Sequence, residues 1–229
     1  MTGPSVDNRG VGDPIRWLDA ETPQGPGRFR ITEAAAPRAL VVLGHGAGGG
    51  VEAPDLQALA ERLPAAGLSV ALFEQPWRTA GRRVAVAPPR LDEAAVAAIA
   101  QLRGEFEGLP LVLGGRSAGA RVACRTGQVL EASHIVCLAF PLHPPGKPEK
   151  SRRDELLGTR VPTLVVQGSR DPFGNEQEMV EELAHAERHR MHLVEGARHD
   201  LLLPRARANR QQQEWEGMAQ AVIEFVGKG

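Results

Sequence analysis

The chain has 229 residues, of which 42% are hydrophobic and 24% are charged, values typical of a globular protein. Its 27 lysines and arginines nearly balance 28 aspartates and glutamates, which argues against binding nucleic acid or an anionic membrane through bulk charge. The longest apolar runs are far shorter than the ~18 residues of a membrane span, and the length suits a single domain over residues 1–229.

Short β-prone runs alternate along the chain with segments whose apolar residues recur at helical spacing. Residues 1–27 are predicted to form an N-terminal tail and the first strand of a hairpin. The predicted strands span 15–18, 28–31, 39–43, 68–73, 111–113, 134–139, 163–167 and 190–194. The predicted helices span 55–65, 91–106, 117–130, 154–157, 175–186 and 213–226. This order predicts an α/β fold, with a mostly parallel twisted sheet of about 7–8 strands and helices on both faces.

Two predicted connections, residues 74–90 and 140–153, are longer than plain turns. Both are rich in proline, glycine and basic residues and show no clear period. Ligands of open α/β sheets bind beyond the carboxyl ends of the strands, and both segments leave strands at that edge. We therefore expect these loops to border a functional site.

The segment LVLGGRSAGARVA, residues 111–123, places a serine between a predicted strand and a predicted helix. A nucleophilic serine on such a bend needs very small residues two positions before and after it, because larger side chains would collide with the adjoining strand and helix. Gly115 and Gly119 occupy these positions around Ser117. We interpret the segment as a nucleophile elbow, and a tight turn with an incidental serine is the alternative.

A serine nucleophile needs a base to take its proton and a third group to orient that base. Two residues satisfy the chain order serine, acid, histidine: Asp171 follows strand 163–167, and His199 follows strand 190–194. His143 lies in a loop at the same edge and is an alternative base or a substrate-binding residue. Asp154 is an alternative acid.

The turn after strand 39–43 reads GHGAGGG, residues 44–50. Its glycines, Gly46 among them, let the backbone approach a ligand closely. We predict that the N–H groups of Ala47 and of Ala118, directly after the serine, form an oxyanion hole. His45 is expected to support the loop through hydrogen bonds. A phosphate-binding loop is the alternative, but the lysine and acidic partners of such loops are missing from the pattern.

These motifs resemble those of the α/β-hydrolases over nearly the whole chain from residue 28 onward, through residues 115–119, Asp171 in GSRDPFG, His199 in ARHD, and HGAGGG. More narrowly, LGHGAGGG, GGRSAGARVA, FPLHPPGKPE and VVQGSRDPFG resemble a small branch related to dienelactone hydrolases. That branch includes hydrolase-like domains of a testis-expressed protein and of a chromatin-complex (non-specific-lethal) subunit. The resemblance implies an α/β-hydrolase fold with a minimal cap domain or none. Dienelactone hydrolases use a cysteine nucleophile, so Ser117 departs from them and favours esterase-like chemistry.

Arginines are frequent around the predicted site. Arg116 and Arg121 flank the elbow, and Arg82 and Arg83 lie in the 74–90 loop with Trp77. Because arginine binds carboxylates and phosphates bidentately, these residues predict an anionic substrate such as a carboxylate-bearing ester or lactone. Solvated surface charge is the alternative for the arginines, and core packing is the alternative for Trp77.

The leading prediction is a serine hydrolase that cleaves a small ester, thioester or lactone through an acyl-enzyme, with no cofactor and no metal. The first alternative is a hydrolase-fold scaffold that binds protein partners. The second is an acyltransferase or perhydrolase that uses the same residues. We expect a cytoplasmic monomer or homodimer, because the polar N-terminus lacks the apolar segment of a secretion signal and Cys124 and Cys137 read as reduced core residues.

Overall fold

The computed structural model describes residues 15–204 and 208–227, and eight strands of this part of the chain form one sheet. The strands are β1 (Ile15–Ala20), β2 (Gly27–Thr32), β3 (Ala39–Gly44), β4 (Leu68–Glu74), β5 (Leu111–Arg116), β6 (His134–Leu138), β7 (Thr163–Gly168) and β8 (His189–Val194). Their order in the sheet is β1-β2-β4-β3-β5-β6-β7-β8. β2 pairs antiparallel with β1 and β4, and the remaining pairs are parallel.

Helices cover both faces of this sheet. They are α1 (Pro54–Arg62), α2 (Pro76–Thr79), α3 (Pro88–Arg103), α4 (Ala118–Thr126), α5 (Arg153–Leu157), α6 (Glu176–Leu183) and α7 (Ala208–Val226). Buried residues of α1 and α7 pack on one face, and those of α3 to α6 pack on the other, so two apolar cores enclose the strands. The predicted fold class, a mostly parallel α/β sheet with helices on both faces, is confirmed.

Several predicted element boundaries differ from those in the structure. The 74–90 connection contains helix α2, and α3 begins at Pro88 because proline is favoured in the first turn of a helix. The predicted helix 117–130 ends at Thr126, and the predicted helix 213–226 starts five residues earlier than expected, at Ala208. The predicted N-terminal tail lies outside the described residues up to residue 14. Within the described residues, no helix combines the length and apolarity needed to cross a bilayer.

The parallel pairing of the strands determines at which edge of the sheet the candidate site lies. β5 lies in the middle of the sheet between β3 and β6, and β7 and β8 follow towards one side. Because these strands run in the same direction, the segments that follow β3, β5, β7 and β8 all leave at one edge of the sheet. The predicted catalytic residues and oxyanion donors lie on these four segments, whereas Trp77, Arg82 and Arg83 follow β4 and His143 follows β6.

Candidate active site

Ser117 lies on a strained bend between β5 and α4. Its backbone has φ 53° and ψ −107°, a conformation that side-chain-bearing residues rarely adopt. The Ser117 N–H donates to the carbonyl oxygen of Leu138 at 2.9 Å, which ties the bend to the end of β6. The strain lifts the serine side chain out of the sheet edge, as a nucleophile elbow requires.

Gly115 and Gly119 are required by the close approach of β3 to this bend. A Cβ atom on either glycine would overlap the carbonyl oxygen of Gly44, the last residue of β3. Gly115 also has φ 155°, at the limit of what other residues adopt. The spacing that identified the elbow in the sequence therefore has a direct steric cause in the structure.

The structure brings Ser117, His199 and Asp171 together in a continuous chain of hydrogen bonds. His199 Nε2 lies 2.9 Å from Ser117 Oγ, and His199 Nδ1 lies 2.8 Å from Asp171 Oδ2. With the Nδ1 proton directed at the carboxylate, Nε2 is free to accept the proton of the serine hydroxyl. This is the geometry by which a histidine activates a serine.

The Asp171 carboxylate is buried, and three donors satisfy it. Besides His199, the Nε2 group of Gln167 donates to Oδ2 at 2.9 Å and the N–H of Phe173 donates to Oδ1 at 2.8 Å. Gln167 is fully buried at the end of β7 and was not predicted from the sequence. A polar side chain ending an otherwise apolar strand, next to the acid loop, was the signal that could have identified it.

The loop that carries His199 is fastened to the loop that carries Asp171. The N–H of Gly196 donates to Ser169 Oγ at 2.8 Å, and the N–H of Arg170 donates to the carbonyl oxygen of Ala197 at 2.9 Å. The ring of Phe173 stacks on the His199 imidazole, with the ring centres 4.1 Å apart. These contacts fasten the loop of His199 to that of Asp171 and pack the imidazole against Phe173.

Ala47 and Ala118, the predicted oxyanion donors, both line the cleft beside Ser117. The N–H groups of Ala47 and Ala118 have no hydrogen-bond acceptor within residues 15–204 and 208–227. His45 holds the loop of Ala47: its Nε2 accepts from the Gln75 N–H at 3.1 Å, and its Nδ1 donates to the Gly46 carbonyl at 2.9 Å. Burial lowers the pKa of His45, so this imidazole stays neutral in that arrangement.

A cleft of about 430 Å³ opens above Ser117. It is lined by the 46–49 loop, the elbow, His199, Phe173, Pro141 and three arginines, namely Arg116, Arg121 and Arg152. Arg152 was not predicted, because nothing in the sequence distinguishes it from the other basic residues of the 140–153 connection. The second long connection thus borders the cleft, as expected.

Other predicted substrate-binding residues lie away from this cleft. Trp77 is buried in the apolar core against His45, and Arg82 lines a separate cavity of about 180 Å³. Arg83 is exposed to solvent. The alternative base His143 is buried and contacts Glu178 Oε1 at 3.0 Å rather than Ser117. The alternative acid, Asp154, lies exposed in α5.

Arg116 connects the elbow to a buried acid and to the histidine loop. Its Nε lies 3.0 Å from Oδ2 of Asp55, a fully buried residue in the first turn of α1, and its Nη2 donates to the carbonyl oxygen of His199 at 3.1 Å. Burial, only partly offset by Arg116, raises the pKa of Asp55 to about 6. Arg116 therefore links the buried Asp55 carboxyl group to the backbone of the loop that carries His199.

Two further observations concern cofactors and cysteines. Within the described residues, no three histidine, cysteine, aspartate or glutamate side chains gather into a group that could hold a metal ion. Cys124 and Cys137 are free thiols, buried with their Sγ atoms 3.5 Å apart. Neither cysteine lines the cleft.

The sequence profile of the family described as "Alpha/beta hydrolase domain" matches residues 37–227. The chain belongs to this family. The matched region contains every strand from β3 to β8 and every residue of the Ser117–His199–Asp171 chain. The first two strands, β1 and β2, precede the match and extend the hydrolase sheet at one side.

Solved structures share the fold of this α/β-hydrolase chain. A serine hydrolase without lid from Xanthomonas campestris is 19% identical, with a TM-score of 0.70 over 92% of this chain and 94% of that chain. A serine hydrolase homologue from Coxiella burnetii is 16% identical, with a TM-score of 0.74 over 90% and 96%. A dienelactone hydrolase from Anabaena variabilis is 19% identical, with a TM-score of 0.70 over 92% and 95%. At these identities the likeness shows the fold alone.

Proposed function

We propose that this chain is a serine hydrolase that cleaves a small ester, thioester or lactone, with Ser117 as nucleophile, His199 as general base and Asp171 as the group that orients it. The observation that carries the proposal is the unbroken hydrogen-bond chain from Ser117 Oγ to the buried Asp171 carboxylate. The strained backbone of Ser117 and the free N–H groups of Ala47 and Ala118 support it.

The proposed reaction follows from these positions. Ser117 Oγ attacks the substrate carbonyl carbon while His199 Nε2 takes the hydroxyl proton, and the carbonyl electron pair moves onto the oxygen. The N–H groups of Ala47 and Ala118 would stabilise that negative charge, each contributing roughly 10²–10³ in rate. The tetrahedral intermediate expels the leaving group, which receives the proton from His199. Water then attacks the acyl-enzyme with His199 again as base.

The test is covalent labelling with a fluorophosphonate probe, read by intact mass. We expect one adduct on the wild-type protein and none on Ser117→Ala, because only an activated serine reacts with this electrophile. Ser151→Ala is the matched control: Ser151 is exposed, lies outside the cleft and should leave the labelling unchanged.

Labelled protein that also hydrolyses neutral p-nitrophenyl esters would support the proposal. A folded wild-type protein that forms no adduct and hydrolyses no ester would overturn it. The partner-binding scaffold, which the resemblance to the chromatin-complex subunit implies, would then be the function to test. Labelling at a serine other than Ser117 would also contradict the proposal.

A further inference from the structure

The arginines of the Ser117 cleft differ in their charge partners. Arg116 is paired with Asp55, with Nε and Oδ2 3.0 Å apart. Arg121 forms a two-pronged contact with Glu155, at 2.7 Å through Nε and 2.6 Å through Nη2. Both arginines predicted from the sequence to bind an anion at the elbow are therefore already neutralised by carboxylates of the protein.

The single negative charge of Glu155 is already shared between two arginines, Arg121 and Arg125. Glu155 accepts from Arg125 at 2.8 Å, and Arg125 forms a second two-pronged contact with Asp92, with both distances 2.7 Å. Two carboxylates thus balance two guanidinium groups in this network. The ion pairs outweigh burial and lower the pKa of Glu155, so its carboxylate is ionised at neutral pH.

Arg152 lines the same cleft without a carboxylate partner among the described residues. Its Nη1 donates to the carbonyl oxygen of Pro141 at 2.8 Å. Its backbone N–H donates to the carbonyl oxygen of Leu142 at 2.6 Å. The first bond holds the side chain against the wall of the cleft, and the second holds its backbone there. Its Nε and Nη2 groups, the edge with which arginine binds carboxylates bidentately, have no acceptor in that part of the chain.

The surroundings of Arg152 are short of negative charge. Partial burial and the positive charge of Arg121 lower the pKa of the Arg152 guanidinium. The negative charge of Glu155 raises this pKa, but by less. Arginine nevertheless stays protonated in proteins, so the group remains a cation. Since Arg116 and Arg121 are each paired with a carboxylate, Arg152 is the one arginine of the cleft that has no carboxylate partner among the described residues.

We propose that Arg152 binds a carboxylate carried by the substrate, at a distance from the scissile carbonyl. This proposal rests on the proposed hydrolase function. A single free guanidinium edge matches a monoanionic carboxylate better than a phosphate monoester, which carries about two negative charges at neutral pH. The substrate class is then an ester, thioester or lactone bearing one carboxylate.

The test compares two p-nitrophenyl esters of equal chain length, pentanoate and hemiglutarate, which differ in that a carboxylate replaces the terminal methyl group. We expect wild-type protein to favour hemiglutarate in kcat/KM, and Arg152→Gln to lower the hemiglutarate-to-pentanoate ratio by about tenfold or more, the size expected for a charge-assisted bidentate bond. The matched control is Arg153→Gln. Arg153 is the next residue, is exposed and pairs with Glu182 at 3.0 Å outside the cleft, so its loss should leave the ratio unchanged.

A second measurement needs no turnover and does not depend on which side of the scissile bond carries the charge. Glutaramate, a monoanion, but not the neutral glutaramide should slow fluorophosphonate labelling of wild-type Ser117, and Arg152→Gln should abolish this protection. Loss of either preference in Arg152→Gln supports the carboxylate site. Retention of both, or a wild-type protein with neither, overturns it. Hydrolysis of pentanoate together with labelling shows that the hydrolase function stands even when the carboxylate site fails.

Discussion

Asp55 is a buried carboxyl group whose protonation depends on its surroundings. It is fully buried, its counterion is Arg116, and its pKa is raised to about 6 from an ordinary value of 3.8. Because the folded state binds this proton more tightly than the unfolded chain, Asp55 adds stability below pH ~4 and loses that contribution as the pH rises through about 6.

We predict that the unfolding free energy of the wild type, relative to Asp55→Asn, falls by roughly 2 kcal/mol between about pH 4.5 and about pH 7.5. The measurement is urea unfolding across this pH range. Asp19→Asn, at an exposed position, is the control. Its unfolding free energy should change with pH in the same way as that of the wild type. Parallel curves for Asp55→Asn and the wild type would show that the buried carboxyl does not titrate in this range.

For individual residues, the sequence predicted those that belong to a motif. It did not predict those whose role depends on which side chains the fold places beside them. Ser117, Asp171 and His199 were predicted because their order and their places after strands are visible in the chain, and the structure brings them together; their catalytic role stays a prediction. Asp55 and Arg152 carry no motif. Whether an arginine is neutralised or free depends on carboxylates such as Glu155, whose position follows from the fold.

The contact between β3 and α4 determines how closely the elements of the elbow pack. A Cβ on Gly119 would overlap the backbone of Gly44, although Gly119 lies in the first turn of a helix. In an ordinary helix position, alanine would be more favourable than glycine by up to ~1 kcal/mol. Here the steric overlap dominates.

We predict that Gly119→Ala lowers the unfolding free energy by about 2 kcal/mol or more, since neither backbone segment can yield without moving a strand. Urea unfolding with an unchanged m-value would measure the loss. Gly48→Ala serves as the control for stability, because a Cβ there meets no atom within 4 Å. A Gly119→Ala protein as stable as the wild type would contradict the assignment of a tight contact.

Element boundaries were predicted less well than element types. Apolar periodicity identified each strand. Helix α2 was not predicted, because its four residues, from Pro76 to Thr79, are too few to show a period. α4 ends at Thr126 although apolar residues continue to Leu130, and the chain turns after it, with the N–H of Ala132 donating to the carbonyl oxygen of Gly127 at 2.9 Å. Such limits arise from contacts between elements, which a single sequence does not display.

The whole molecule depends on covering both faces of its sheet. The strands are apolar on both sides, and within the part of the chain that the structure describes, α1 and α7 cover one face together with Leu63. α7 contributes Trp215, Met218 and Val222 to that face, so the last helix of the chain completes a core that begins with β3.

We predict that Trp215→Ala destabilises the protein by about 3–5 kcal/mol, because its side chain is 5% exposed within this core. Trp17→Ala is the matched control. Trp17 is 48% exposed on β1 and contacts Arg28 at 4.3 Å from the ring centre, so its loss should cost about 1 kcal/mol or less. Thermal and urea unfolding measure both variants. Equal losses would show that α7 does not share the main core.

The order of the site residues along the chain has a consequence for the protein during its synthesis. Ser117 precedes His199 by 82 residues, and β8, which leads to His199, is an edge strand that pairs with β7. Translation proceeds from the N-terminus, so the serine leaves the ribosome well before its base. If His199 is the base, as proposed, the emerging serine has no partner to take its proton until β8 docks on β7. On that proposal we expect fluorophosphonate labelling of Ser117 only after the β8 strand is in place, so that labelling would report completion of the sheet.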